Sequence, residues 1–250
     1  MEEVRFTTYD QVELAANLYL PAPRDEWVSG IIVCHGFGSC KENYAAFGEL
    51  ASSMGFAVLV MDLRGHGESG GAVDGNIFND VAAAHVYLQS RSEVNPTSIS
   101  IRGASLGGWL AIHTAAHLID IGPIVAYSPI SETLFTILME EVAMVQRGHT
   151  SNVVPESLPR VDVTSVAVLL HRLDIVKAAR HLSPRPLLLV HCEGDQVVPS
   201  HVTDRIYEGA FEPKTLWLLP GGDHHFPQHD PDTDRRVLEW LQLSRVETEV

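Results

Sequence analysis

Ser105 lies in the run Gly103-Ala104-Ser105-Leu106-Gly107-Gly108, between an apolar stretch (Ile99-Ser100-Ile101) and an amphipathic one that begins at Trp109. A strand that turns sharply into a helix at a serine lifts the serine Oγ clear of the backbone, at the positive end of the helix dipole. A serine so placed can act as an acyl-transfer nucleophile if a base takes its proton and an acid holds that base in the right tautomer. Both partner types occur downstream. Asp195 follows the apolar run 187–190 in His191-Cys192-Glu193-Gly194-Asp195, where Gly194 permits the turn that would aim its carboxylate; Glu193 is the other acid there. His224 and His225 follow the run 216–219 and the turn Pro220-Gly221-Gly222-Asp223. Ser105, Asp195, His224 is the nucleophile, acid, base order expected around such a turn. Upstream, His35-Gly36-Phe37-Gly38-Ser39 follows the run 31–34 and can offer the backbone N–H of Phe37 to a developing oxyanion, beside that of Leu106.

These groups meet only if their strands lie side by side, because ligands of an open parallel sheet bind beyond the strand carboxyl ends. The patterning predicts such a sheet. Two alternating runs, 4–9 and 12–20, read as an antiparallel pair at its edge. Apolar strands at 30–34, 57–61, 98–101 and 124–127 then alternate with helices at 44–54, 77–90 and 106–117. After a break at Pro129, strands at 187–190 and 215–219 alternate with helices at 200–210 and 233–243. Near-continuous Val/Ile/Leu strands alternating with helices indicate an α/β fold with both sheet faces covered. Residues 130–184 are too many for a loop and should form an inserted lobe in a core made of 1–129 and 185–250. Within it, 131–147 is amphipathic, 148–159 is a loop, and 161–171 is ambiguous between strand and helix. Asp174 should cap a short helix ending near 180.

The chain has 250 residues, 45% hydrophobic and 20% charged, an ordinary globular composition with ample length for a large core. Its formal net charge of −15 argues against nucleic acid or an anionic membrane as partner, since both need a basic surface. No basic stretch followed by an apolar run opens the chain, and no apolar run approaches a membrane span. Cys34, Cys40 and Cys192 make an odd set without a framework spacing, so they should be reduced, with Cys34 and Cys192 filling the core. A cytoplasmic protein is expected.

The chain resembles the α/β-hydrolases over nearly its whole length. The resemblance rests on His35-Gly36-Phe37-Gly38, Asp62-Leu63-Arg64-Gly65-His66-Gly67-Glu68-Ser69, Gly103-Ala104-Ser105-Leu106-Gly107-Gly108, Asp195-Gln196-Val197-Val198-Pro199 and Gly222-Asp223-His224-His225-Phe226. It is similar to small bacterial carboxylesterases with a short inserted lobe: cinnamoyl/feruloyl-esterase-like, dienelactone-hydrolase-like, and monoglyceride-lipase/serine-aminopeptidase proteins. Ala104 and Leu106 stand where those relatives often carry histidine and glutamine, which leaves the backbone donor intact and the substrate undefined.

The resemblance implies an eight-stranded, mostly parallel sheet with helices on both faces and a small cap lobe. It implies a serine carboxylesterase with Ser105 as nucleophile, Asp195 as acid, His224 (the first histidine of its motif) as base, and Phe37 and Leu106 N–H groups as oxyanion donors. No cofactor and no metal are expected, although His224, His225 and His229 share one loop. His66 should hydrogen-bond locally. Phe135, Leu138, Met139 and Val142, on one face of the lobe, are candidates for either core packing or an acyl pocket. The expected partner is a small-molecule ester with a short-to-medium acyl or an aryl-acyl group, with homodimerisation left open. Residues 130–184 contain no tyrosine, which disfavours a phenolic acyl group without removing Asp162 and Asp174 as polar partners. The alternatives are a serine peptidase or aminopeptidase, with Glu132, Glu140 and Glu141 as receivers of an amine, a thioesterase, or a non-catalytic ligand receptor on the same fold.

Overall fold

The structure is a computed structural model that describes residues 1–23, 26–118, 120–154 and 157–246. Eight strands form one sheet: β1 (Glu2–Thr7), β2 (Glu13–Tyr19), β3 (Val28–Cys34), β4 (Ala57–Met61), β5 (Val94–Ala104), β6 (Ile124–Tyr127), β7 (Leu187–Cys192) and β8 (Lys214–Leu219). Their spatial order is β1-β2-β4-β3-β5-β6-β7-β8. Strand β2 is antiparallel to both neighbours, and every pair from β4 to β8 is parallel. The central strands are buried on both faces, which is why they read as unbroken aliphatic runs rather than alternating ones.

Helices α1 (Ala45–Ser53) and α8 (Pro231–Val246) cover one face, where Phe47, Ala51, Val237 and Leu241 meet Ile31, Val33, Val58 and Val60. Helices α2 (Phe78–Gln89), α3 (Leu106–Ala115) and α7 (His201–Gly209) cover the other, burying Val81, Ala84, Leu110 and Ile206 with Ile32, Leu59 and Ile101. The chain leaves β3 toward α1 on one face and β5 toward α3 on the opposite face. The ends of these neighbouring strands are therefore the switch point, where open α/β sheets hold their ligands.

Between β6 and β7 lie α4 (Glu132–Gln146), α5 (Val163–Leu170) and α6 (Ile175–Arg180). Helix α4 packs on α5, whereas α6 packs on α3 and α7. Residues 160–162 run back along the core: Val73 N–H donates to the Arg160 carbonyl at 2.8 Å, Arg160 N–H to Gly65 at 3.1 Å, and Asp162 N–H to Val73 at 2.9 Å. In the loop expected over 148–159, positions 155 and 156 lie outside the described residues.

Among the departures from the patterning, three have a local physical cause. The valine-rich stretch is helical because the Asp162 carboxylate caps it, accepting from Ser165 N–H at 3.0 Å, and because Val166 and Leu170 face the core. Strand β5 begins at Val94, pairing with Val28 before a register shift, where the polar Asn95-Pro96-Thr97 breaks the apolar signal. Helix α8 starts at Pro231, a residue well suited to the first turn, where its missing N–H costs nothing. Among the described residues no helix is long and apolar enough to cross a membrane.

Candidate active site

The turn at Ser105 follows from two close approaches. A side chain at Gly103 would collide with the carbonyl of Gly107, and one at Gly107 with the carbonyl of Cys34, so glycine is required where α3 folds back over β5 and against β3. Between them Ser105 is forced to φ 53° and ψ −112°, a region costly for any residue with a Cβ. Its backbone is held on both sides: its N–H donates to the Tyr127 carbonyl at 2.8 Å, and its carbonyl accepts from Trp109 at 3.0 Å and Ile130 at 3.3 Å. The side chain makes no cap to α3 and is half-buried.

Asp195 follows β7 in a tight turn and is 4% exposed. Its Oδ1 accepts the N–H groups of Val197 at 2.8 Å and Val198 at 2.9 Å, which leaves Oδ2 to accept Nδ1–H of His224 at 2.7 Å. His191 Nε2 lies 3.4 Å from the same Oδ2. Burial opposes the Asp195 charge, but the hydrogen bonds from both histidines and Val198 outweigh it and hold the carboxyl well below the ordinary carboxylate range. His224 is itself buried, in the loop after β8. With Nδ1–H spent on Asp195, Nε2 is left as the lone-pair nitrogen, the state a general base requires. Glu193 and His225 are both exposed, with the His225 ring edge-on to that of His224 at 5.4 Å. The carboxylate and imidazole brought together are thus those of Asp195 and His224.

The loop 35–39 after β3 adjoins the serine: a Cβ on Gly36 would stand 3.4 Å from that of Ser105. In it, Gly38 N–H donates to His66 Nε2 at 3.1 Å and Ser39 N–H to the Gly36 carbonyl at 3.2 Å. Among the described residues, the N–H groups of Phe37 and of Leu106, the first residue of α3, donate to no protein acceptor.

His66 does more than shape its own loop. Its Nδ1–H donates to the Arg64 carbonyl at 3.1 Å, which makes Nε2 the acceptor for Gly38. His35 does the reverse service, with Nδ1–H on the Gly36 carbonyl at 2.7 Å and Nε2 accepting Leu63 N–H at 3.1 Å. Each histidine thus clips the loop after β3 to the loop after β4. Burial lowers the His35 pKa to about 4, and burial followed by repulsion from His35 lowers that of His66 to about 3. Both are neutral, as their acceptor roles require.

The rest of the Asp62 to Ser69 block serves the same purpose. Asp62 accepts Lys41 N–H at 2.7 Å and Glu68 N–H at 2.9 Å, and the buried Arg64 binds Asp10, Asp74 and Asp80. Sequence reasoning quoted this block as a motif and left its bracing role unread. The patterning places both loops after parallel strands, but that these strands are neighbours, paired Cys34 to Met61, is a property of the assembled sheet.

On α4, Phe135, Met139 and Val142 are buried in the main core, with the Phe135 ring edge-on to Trp109 at 5.4 Å. Leu138 is half-buried at their margin. Glu132 is engaged, its Oε1 accepting Trp109 Nε1–H at 2.8 Å and meeting His113 Nε2 at 2.8 Å. Ser157 Oγ donates to the Gly38 carbonyl at 2.9 Å, so the segment between β6 and β7 touches the loop beside Ser105. Among the described residues no three His, Cys, Asp or Glu side chains are grouped to hold a metal ion.

Residues 31–141 match the family model described as the alpha/beta hydrolase fold. The uncharacterized protein YfhR of Escherichia coli (strain K12) is 27% identical over 230 residues, covering 89% of this chain and 73% of its own length. Among solved structures, the hypothetical protein PA2218 from Pseudomonas aeruginosa superposes with a TM-score of 0.81 at 20% identity, covering 97% of this chain and 93% of that one. Est1E from Butyrivibrio proteoclasticus, solved with ferulic acid bound, has a TM-score of 0.73 at 22% identity and covers 98% of each chain.

Proposed function

From a chain with the α/β-hydrolase fold, we propose a serine hydrolase that cleaves carboxylic esters of short-to-medium acyl or aryl-acyl groups. The observation that carries this reading is the buried Asp195 to His224 hydrogen bond in the loops after β7 and β8, with the strained Ser105 turn after β5 at the same carboxyl end of the parallel sheet. In the proposed reaction His224 Nε2 takes the Ser105 proton as Oγ attacks the ester carbonyl. Asp195 stabilises the imidazolium, and the N–H groups of Phe37 and Leu106 receive the oxyanion. His224 then protonates the leaving alcohol. Water repeats the sequence on the acyl-serine, releasing the acid and restoring Ser105.

Two observations bear on the alternatives. An aminopeptidase needs a carboxylate free to receive the substrate amine; Glu132 already serves Trp109 and His113, which leaves Glu140 and Glu141 as the acids for that alternative. A receptor that never used its serine would have no reason to keep a strained backbone there. The interval 130–184 is the proposed cap, with Leu138, at the margin of the buried lobe residues, offered to the acyl chain.

The test is p-nitrophenyl butyrate hydrolysis by Ser105→Ala, expected to lose at least about three orders of magnitude in kcat while keeping its circular dichroism spectrum. Turnover near that of the parent protein would overturn the assignment. A panel of p-nitrophenyl esters, thioesters and aminoacyl-nitroanilides separates ester from thioester and amide specificity.

A further inference from the structure

Strand β5 carries a second polar side chain close to Ser105. Arg102, three residues earlier, is fully buried, with its guanidinium carbon 4.4 Å from the ring centres of Phe47 and Tyr127 and 5.1 Å from that of Tyr44. Nη2 donates to the Gln228 carbonyl at 2.7 Å and to Asp234 Oδ1 at 3.1 Å. Nε and Nη1 have no acceptor among the described residues. A guanidinium in an aromatic box with two unanswered nitrogens is a poor stabilising device, since an apolar residue of similar volume usually serves a core as well or better.

What that cation does reach is the loop that carries His224. Gln228 closes the 3-10 turn Phe226–Gln228 that follows His224, and its side chain reaches back, Nε2 donating to the His224 carbonyl at 3.2 Å. Its Oε1 accepts the Tyr44 hydroxyl at 2.5 Å, and Tyr44 ends the turn that follows the loop 35–39. The other end of the His224 loop is tied to the Asp195 turn, Gly194 N–H donating to the Gly221 carbonyl at 3.1 Å, and within itself by Asp223 Oδ1 accepting the N–H groups of His225 and Phe226, each at 2.9 Å. The charge-assisted bond to Gln228 is therefore a direct link between the strand that carries the serine and the loop that carries the imidazole.

We infer that Arg102 is a positioning residue, which sets His224 against Ser105 by clamping the Gln228 carbonyl to β5. The inference rests on the serine-hydrolase reading. Loss of the clamp leaves every proposed reacting group present and lets the imidazole drift, and misplacement on the order of 1 Å costs about 10²-fold in rate.

The test is a double-mutant cycle with p-nitrophenyl butyrate, using the parent protein, Arg102→Met, His224→Ala and the double variant. Arg102→Met is expected to lower kcat by on the order of 10²-fold with KM little changed. In the His224→Ala background, the same substitution should change the residual rate less than about twofold, because groups that act as a unit are not additive. Equal losses in both backgrounds, or a kcat for Arg102→Met within about threefold of the parent, would overturn the inference. If Arg102→Met does not fold, Arg102→Lys, which keeps the charge and loses the fork, is put through the same cycle and judged by the same criteria. Failure of the underlying reading looks different: His224→Ala would then be as active as the parent.

Discussion

Replacing Ser105 by glycine should make the protein inactive and more heat-stable than the equally inactive alanine variant. At φ 53° and ψ −112° a residue with a Cβ bears backbone strain of about 1–3 kcal/mol, which alanine retains and glycine relieves. Glycine in turn gives back about 0.4–1 kcal/mol through the greater freedom of its unfolded chain. Ser105 makes no side-chain cap to α3, so the comparison involves no lost hydrogen bond there. The difference spans about 0–2.6 kcal/mol in favour of glycine, with its middle at about 1.3 kcal/mol, or a few degrees in Tm for a chain of this size. Scanning calorimetry on the two variants in one buffer measures it. A glycine variant that melts at or below the alanine variant would refute the claim that the turn stores strain at Ser105.

Asp195→Asn should lower kcat by about 10³–10⁴-fold with a small change in KM, because the amide no longer enforces Nδ1–H on His224; a loss below tenfold in steady-state kinetics would remove Asp195 from the proposed role. The buried histidines should make the protein lose stability as pH falls below neutrality. The folded-state pKa of His35, about 4, lies below the ordinary 6.5, so between these values the unfolded chain binds the proton and stability falls with pH. At 1.36 kcal/mol per pH unit His35 alone accounts for up to roughly 3 kcal/mol, complete above about pH 6.5 and lost toward pH 4, with His66 adding in the same direction. Because burial raises the Asp80 carboxyl to about 7 and works the opposite way over the same range, the test is a comparison: the urea midpoint should fall less from pH 7.5 to 5 in His35→Gln than in the parent, and equal falls would contradict a buried neutral His35.

Much of the architecture was legible because its signals are local. Unbroken aliphatic runs mark strands covered on both faces, and Asp174 caps α6 as its position predicts, accepting Val176 N–H at 3.0 Å and Lys177 N–H at 3.1 Å. The valine-rich stretch 161–171 was not legible, since β-branched composition and the Asp162 cap point opposite ways and only packing decides between them. Nor was the state of the lobe face: Phe135, Met139 and Val142 carry the same apolar pattern whether they line a pocket or fill a core.

The sequence by itself determined which residues could do the chemistry and in what order, because a turn at Ser105 and loops at Asp195 and His224 are properties of short segments. The tertiary structure decided which of them touch. It put Asp195 rather than Glu193 on His224, turned His35 and His66 into clips between two loops, and tied Arg102 on β5 to Gln228. Those pairings span up to 126 positions along the chain and depend on strand order and register. Register and strand order are set by burying the whole sheet at once, so no local segment encodes them.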